Sequence, residues 1–156
     1  MPFVSHLRPD HIAVNPPWRT FGDAVDGLLQ KLVDAGSLTA AERTDAAGAI
    51  RAREAEASTA VMETGVGVPH ARIAALSAPV VALAIATAGL YEAAPTVPIR
   101  IVALVLSPVT SLEEHLRTLA DIATLLRSSE LRAALLRSPD APAALAILMQ
   151  YARGLP

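Results

Sequence analysis

The chain has 156 residues, of which 53% are hydrophobic and 3% aromatic, and its formal net charge is −2. That length suits a single domain with its own core, and so apolar a composition excludes a disordered chain. The 13 Lys and Arg residues are dispersed, which argues against nucleic acid or an acidic membrane surface as the main partner, because counterion release needs clustered cations.

With few aromatic residues, the core must be built from Ala, Val, Ile and Leu. The chain contains no cysteine, which removes disulfides, thiolate zinc sites and thiol nucleophiles and fits a reducing compartment. The longest apolar stretch, residues 78–90, is interrupted by Pro79, Thr87 and Gly89. It falls short of the roughly 20 residues that a bilayer-spanning helix needs. Pro2, His6, Arg8, Pro9 and Asp10 stand where a signal peptide would carry its apolar segment. The expectation is a cytoplasmic protein without direct membrane insertion.

In chain order, residues 1–19 are punctuated by Pro2, Pro9, Pro16 and Pro17. They are expected to run extended over the surface, with one short strand around residues 11–14. Phe21, Ala24, Val25, Leu28, Leu29, Leu32 and Val33 then recur at helical spacing, with Thr20 to cap the start and Gly36 to end it. Thr39 and Glu42 form a capping box that opens a second helix to about Glu56. Residues 79–87 and 99–107 are short, β-branched and bounded by proline, and their near-continuous apolarity predicts strands buried on both faces. Ser111 and Glu114 read as a further capping box. Leu112, Leu116, Leu119, Ala123 and Leu126 are expected to line the apolar face of the helix it opens. Ser129 starts a short helix to Leu136, and Asp140 caps a last one to about Tyr151, with Pro142 in its first turn. Helices, then strands, then helices predict a single α/β domain with a central mixed sheet flanked by helices on both sides. The domain is expected to span residues 5–152, with tails at 1–4 and 153–156.

The most unusual segment runs from Arg53 to Arg72. It crosses Gly65 and Gly67 and delivers His70 directly behind Pro69. Pro69 fixes its own φ and restricts Val68 to extended conformations, so His70 sits on a stiff segment. On residues alone, His70 reads either as a histidine at a strand end or as a presented nucleophile. His115 is expected as the fourth residue of its helix, where the macrodipole is positive and backbone N–H groups are free. It reads either as a solvated helix residue or as a donor to an anion. Arg53 and Arg72 match phosphate geometry but are equally at home in solvent. Glu54 and Glu63 are candidates to orient a histidine. His6 and His11 lack metal-ligand spacing, so no metal is expected. No Gly-x-Ser-x-Gly elbow is present, although a Ser-His-Asp site assembled in three dimensions stays open.

The ordered set of motifs resembles the type-2 (mannitol/fructose) enzyme IIA domain of the bacterial phosphoenolpyruvate:sugar phosphotransferase system. The matching pieces are Arg53-Glu54, the Thr64-Gly-Val-Gly-Val-Pro-His70 segment, Ser107-Pro108 after two buried strands, and His115-Leu-Arg-Thr-Leu-Ala120. The resemblance implies a mannitol-IIA-like mixed sheet and a phosphoryl group carried on Nε2 of His70. It also implies His115 and Arg53 as active-site partners, with Thr64, Gly65 and Arg72 in supporting positions, and no cofactor. The implied donor is an HPr-like phosphocarrier, and the implied acceptor is a IIB component or a regulatory target. A stand-alone regulatory protein of the nitrogen-IIA kind and an unphosphorylated binding module are the alternatives. The sequence given carries no attached IIB or membrane domain, which tilts the expectation toward the regulatory class. Two departures touch the identity of the partners. Residues 93–98 lack the acidic turn common in the family, and the loop after His70 is apolar, Ile73-Ala-Ala-Leu76.

Overall fold

A computed structural model describes residues 1–93 and 96–155. The chain begins with a short helix, α1 (Pro2–His6), and a 3-10 turn at Pro9–His11, where an extended segment was expected. Each of these elements opens on a proline in its first turn, where a missing N–H costs no hydrogen bond. The stretch runs over the surface, with Met1, Ser5, Arg8, Pro9 and Asp10 exposed, but Phe3 and Leu7 are buried and anchor it to the core. Strand β1 (Ile12–Val14) follows, then helices α2 (Phe21–Asp34) and α3 (Ala40–Glu56). Both helices start with a reciprocal capping box, Thr20 with Asp23 and Thr39 with Glu42.

The chain then lays down β2 (Ala60–Val61), β3 (Val66–Gly67), β4 (His70–Ile73), β5 (Val80–Ile85), a hairpin of β6 (Tyr91–Ala93) and β7 (Val97–Ile99), and β8 (Ile101–Pro108). Residues 99–107, expected as one strand, are therefore divided at Arg100 between two sheets. The expected change in the turn at residues 93–98 falls partly on Ala94 and Pro95, outside the described residues. Helices α4 (Leu112–Leu126), α5 (Ser129–Leu136) and α6 (Ala141–Arg153) complete the fold.

The main sheet has six strands in the order β1-β5-β8-β3-β2, with β4 also paired to β8. It is mixed: β5 runs antiparallel to β8, whereas β3 and β4 run parallel to it. Strand parity divides the core. Ala82, Ala84, Val102, Leu104 and Leu106 pack with Leu28, Leu29, Leu32, Ala46 and Ile50 of α2 and α3. Val81, Leu83, Ile101, Ala103 and Val105 pack with Phe3, Ile122, Leu125, Leu131, Leu135 and Leu148 on the other side. The sheet is thus covered on both faces, as the apolarity of its strands required.

Two expectations for α4 fail, one wholly and one in part. Ser111 makes no side-chain cap bond, and its ψ is 52° where Thr20 and Thr39 have 161° and 164°. Its amide is engaged by the carbonyl of Pro108 at 3.1 Å, so it is not free for the Glu114 carboxylate, which lies 3.5 Å from Nε2 of His6 instead. Part of the expected apolar stripe is also turned outward: Leu112 and Leu116 are 49% and 56% exposed and Ala123 is exposed, whereas Leu119 and Leu126 pack on the core as expected. The face that packs inward is His115, Thr118, Ile122, Leu125 and Leu126. The two kinds of helix start differ measurably. Thr39→Ala is expected to cost about 1 kcal/mol in urea unfolding, and Ser111→Ala less than about 0.5 kcal/mol. Equal losses would contradict the cap assignment.

Candidate active site

The site is built on one edge of β8. Residues 66–73 follow that edge in a single register: Val66 is paired with Ile101 and Gly67 with Val102, and after two residues His70 is paired with Val105 and Arg72 with Ser107. Pro69 breaks the ladder, since it has no N–H to give, but not the register. Its carbonyl still accepts from the amide of Val105 at 3.0 Å. A proline in a sheet is tolerated at such an edge position. The backbone turns into this edge at Gly65, whose φ is +69° and whose absent Cβ would lie 3.1 Å from the carbonyl of Pro98.

His70 is half-buried at the start of β4. Its Nδ1 lies 2.8 Å from the carbonyl oxygen of Val68. A carbonyl only accepts, so Nδ1 carries the proton and Nε2 keeps its lone pair. Among the described residues Nε2 has no hydrogen-bond partner. His115 comes from the first turn of α4, is 5% exposed, and holds its ring centroid 5.5 Å from that of His70. Its Nδ1 is 2.8 Å from Oγ of Ser107. Desolvation, with lesser contributions from His70 and Arg72, lowers its pKa below the ordinary histidine value, so the ring is neutral at neutral pH.

Arg53 and Arg72 line one wide cleft with both histidines and Val109. Arg53 also donates to the carbonyl of Ala57 at 3.1 Å, which anchors it at the end of α3. On the other side of His70 lies a largely apolar cleft of about 470 Å³, bordered by Arg53, Thr64, Val68, Leu119 and Ala123. Of the residues singled out in the sequence, His70, His115, Arg53 and Arg72 therefore converge, and Thr64 sits farther along the apolar cleft. Gly65 does not line either cleft; it shapes the turn. Glu54 does not orient a histidine. It accepts from the amide and the hydroxyl of Thr59, the latter at 2.6 Å. Glu63 is exposed. The apolar loop after His70 is explained by packing, since Ile73 and Leu76 are buried.

Sequence reasoning quoted Ser107 within a motif but gave it no role, although it is fully buried. Its signal was a lone hydroxyl at the end of an otherwise apolar strand. It also missed the Val68 carbonyl, because backbone groups carry no sequence signature.

A family model described as "Phosphoenolpyruvate-dependent sugar phosphotransferase system, EIIA 2" matches residues 5–151. The fructose-specific EIIA component of Haloferax volcanii is 33% identical over 137 residues, covering 86% of this chain and 87% of that protein. The nitrogen regulatory protein IIA-Ntr from Neisseria meningitidis has a similar structure, with a TM-score of 0.80, 23% identity, and coverage of 93% of this chain and 97% of that one. In a structure of enzyme IIA-mannitol complexed with phosphorylated enzyme IIB-mannitol, both from Escherichia coli, the matching chain has a TM-score of 0.73 at 17% identity, covering 92% of this chain and 97% of that one. These two structural likenesses establish the fold. No helix among the described residues is long and apolar enough to cross a membrane.

The buried histidines set a pH dependence. His11, 4% exposed, also has its pKa lowered, chiefly by burial and then by Arg8. Both rings bind a proton less readily folded than unfolded, so the unfolded chain takes up protons first as the pH falls. Their stability contribution is full above about pH 6.5 and is lost as the pH drops through the lower folded values. The urea midpoint is expected to fall between about pH 7 and 5, and to fall less in His11→Asn. A midpoint that rises on acidification would contradict this. Taken together, the match over residues 5–151 and the relative at 33% identity mean that the chain belongs to the EIIA 2 family of the phosphoenolpyruvate-dependent sugar phosphotransferase system.

Proposed function

We propose that this chain is a cytoplasmic phosphoryl carrier, a single domain over residues 5–152. In this reading Nε2 of His70 takes the phosphoryl group from a phosphohistidine on an HPr-like phosphocarrier and hands it to a IIB component. The observation that carries the reading is the 2.8 Å bond from Nδ1 of His70 to the Val68 carbonyl, which leaves the nucleophilic lone pair on Nε2. In-line attack forms the Nε2–P bond as the N–P bond of the donor breaks, and the donor imidazole leaves with the electron pair. The Val68 carbonyl then stabilises the Nδ1–H of the phosphorylated, more electron-poor ring.

Such transfer is mostly positioning and charge stabilisation. Arg53 and Arg72 border the cleft and match the oxygens of a phosphoryl group. His115 stands beside His70 on the same cleft. The first-turn amides of α4 are without a side-chain cap and favour an anion near them. Thr64 and Gly65 act through the shape of the segment that leads to His70. The apolar cleft and the exposed Leu112 and Leu116 suit a docked partner that excludes water, which the hydrolysable N–P bond requires.

The fructose-specific name of the Haloferax volcanii relative supports a role in sugar transport. The nitrogen-regulatory likeness, at 23% identity, speaks to fold and gives the regulatory alternative no added support.

The test is to mix the protein with enzyme I, HPr homologues and phosphoenolpyruvate and record intact mass. One phosphoryl adduct is expected, absent in His70→Gln. His115→Asn and Arg53→Gln are expected to slow its formation on the order of 100-fold. No adduct with any of several HPr homologues would overturn the reading, and labelling of His70→Gln would overturn the site.

A further inference from the structure

The buried hydroxyl of Ser107 has no role in the site as described so far, yet it touches the second histidine. Ser107 is 0% exposed in β8, and its Oγ lies 2.8 Å from Nδ1 of His115. Among the described residues this is the only hydrogen bond that Oγ makes. Two proton arrangements are consistent with that distance. If Nδ1 carried the proton and donated to Oγ, the serine O–H would be left without an acceptor in a place closed to water. An unmade hydrogen bond on a buried donor is the expensive outcome. If the serine O–H donates to Nδ1, every buried polar atom of the pair is satisfied.

We infer that Ser107 is a positioning residue that donates to Nδ1 of His115, holding that ring in the Nε2–H form with its N–H presented to the cleft it shares with His70. The two rings are then in opposite tautomers. In His70 the Val68 carbonyl takes the Nδ1 proton and frees Nε2 as a nucleophile. In His115 the Ser107 hydroxyl occupies Nδ1 and makes Nε2 a donor. A nucleophile and a donor side by side suit a group that arrives at one ring with its oxygens toward the other. With the opposite tautomer, His115 would turn a lone pair toward those oxygens and repel them. Neutrality of His115 agrees with this, because burial disfavours its charged form. The tautomer itself follows from the geometry alone; only its use in transfer rests on the proposed carrier function.

The experiment is nitrogen-15 NMR of the histidine rings at about pH 8, where neutral rings dominate. Long-range proton–nitrogen correlations distinguish a protonated from an unprotonated ring nitrogen. In the unaltered protein His115 is expected to show Nε2 protonated and Nδ1 bare, and His70 the reverse. His115 found with Nδ1 protonated would overturn the inference, whatever the phosphorylation assay gives. Conversely, the expected tautomers in a protein that takes no phosphate would sustain the inference and overturn the carrier reading. Ser107→Ala is expected to mix the His115 tautomers and slow phosphorylation of His70 on the order of tenfold, as loss of an outer hydrogen bond does for ligand histidines. Ser107→Thr, which keeps the hydroxyl, is expected to restore the Nε2–H form. A folded Ser107→Ala protein with a pure Nε2–H ring and an unchanged rate would overturn the role. If neither variant folds, the spectrum of the unaltered protein decides alone.

Discussion

The structure depends on β8 being buried along its entire length. All eight residues from Ile101 to Pro108 are shielded, so each backbone N–H and C=O must find a partner inside the protein. Strand β5 supplies partners on one edge, and the segment from Val66 to Ile73 supplies them on the other. The side chains divide by parity between two cores, one under α2 and α3 and one under α4, α5 and α6. The same strand lines both cores and carries the partners of the histidine pair, Val105 opposite His70 and Ser107 beside His115.

The two histidines inherit their chemistry from that strand. His70 lies opposite Val105, and Arg72 opposite Ser107, so both project to the face covered by α4. His115 is carried to the same face by the first turn of α4, which is joined to the end of β8 by only three residues. The short connection leaves little freedom in where the imidazole can go. It also accounts for half of the missing capping box at Ser111: the tight turn engages its amide at Pro108, so the Glu114 carboxylate has no donor there, and the ψ of 52° departs from the extended backbone of the two capped helix starts.

Elements with a local cause were readable from the sequence. The Thr39–Glu42 box, the Thr20 cap and the doubly buried strands at residues 80–85 and 101–108 follow from neighbouring residues, and the structure has them. The face of α4 was partly misread because the helix carries two apolar stripes, and periodicity cannot say which one packs. Burial went to the stripe that contains His115 and Thr118, two polar residues, because each has an internal hydrogen bond there. Thr118 donates to the carbonyl of Glu114 at 2.9 Å and His115 meets Ser107 at 2.8 Å. The N-terminal helix escaped notice because prolines in a first turn read like prolines in a coil. In the site, His70 and His115 stood out as side chains and as members of a motif. The hydroxyl and the carbonyl that fix their protons lie close only once the strands are paired.

The unbroken register across Pro69 has an evolutionary corollary. Successive residues on a strand face opposite ways, so gain or loss of one residue between Gly65 and His70 would swing the imidazole toward α3, away from His115. Descendants of this chain are free to vary the length of the surface loop after Ile73, where Ala74 and Ala75 are exposed. In the stretch before His70 the number of residues is fixed by that register.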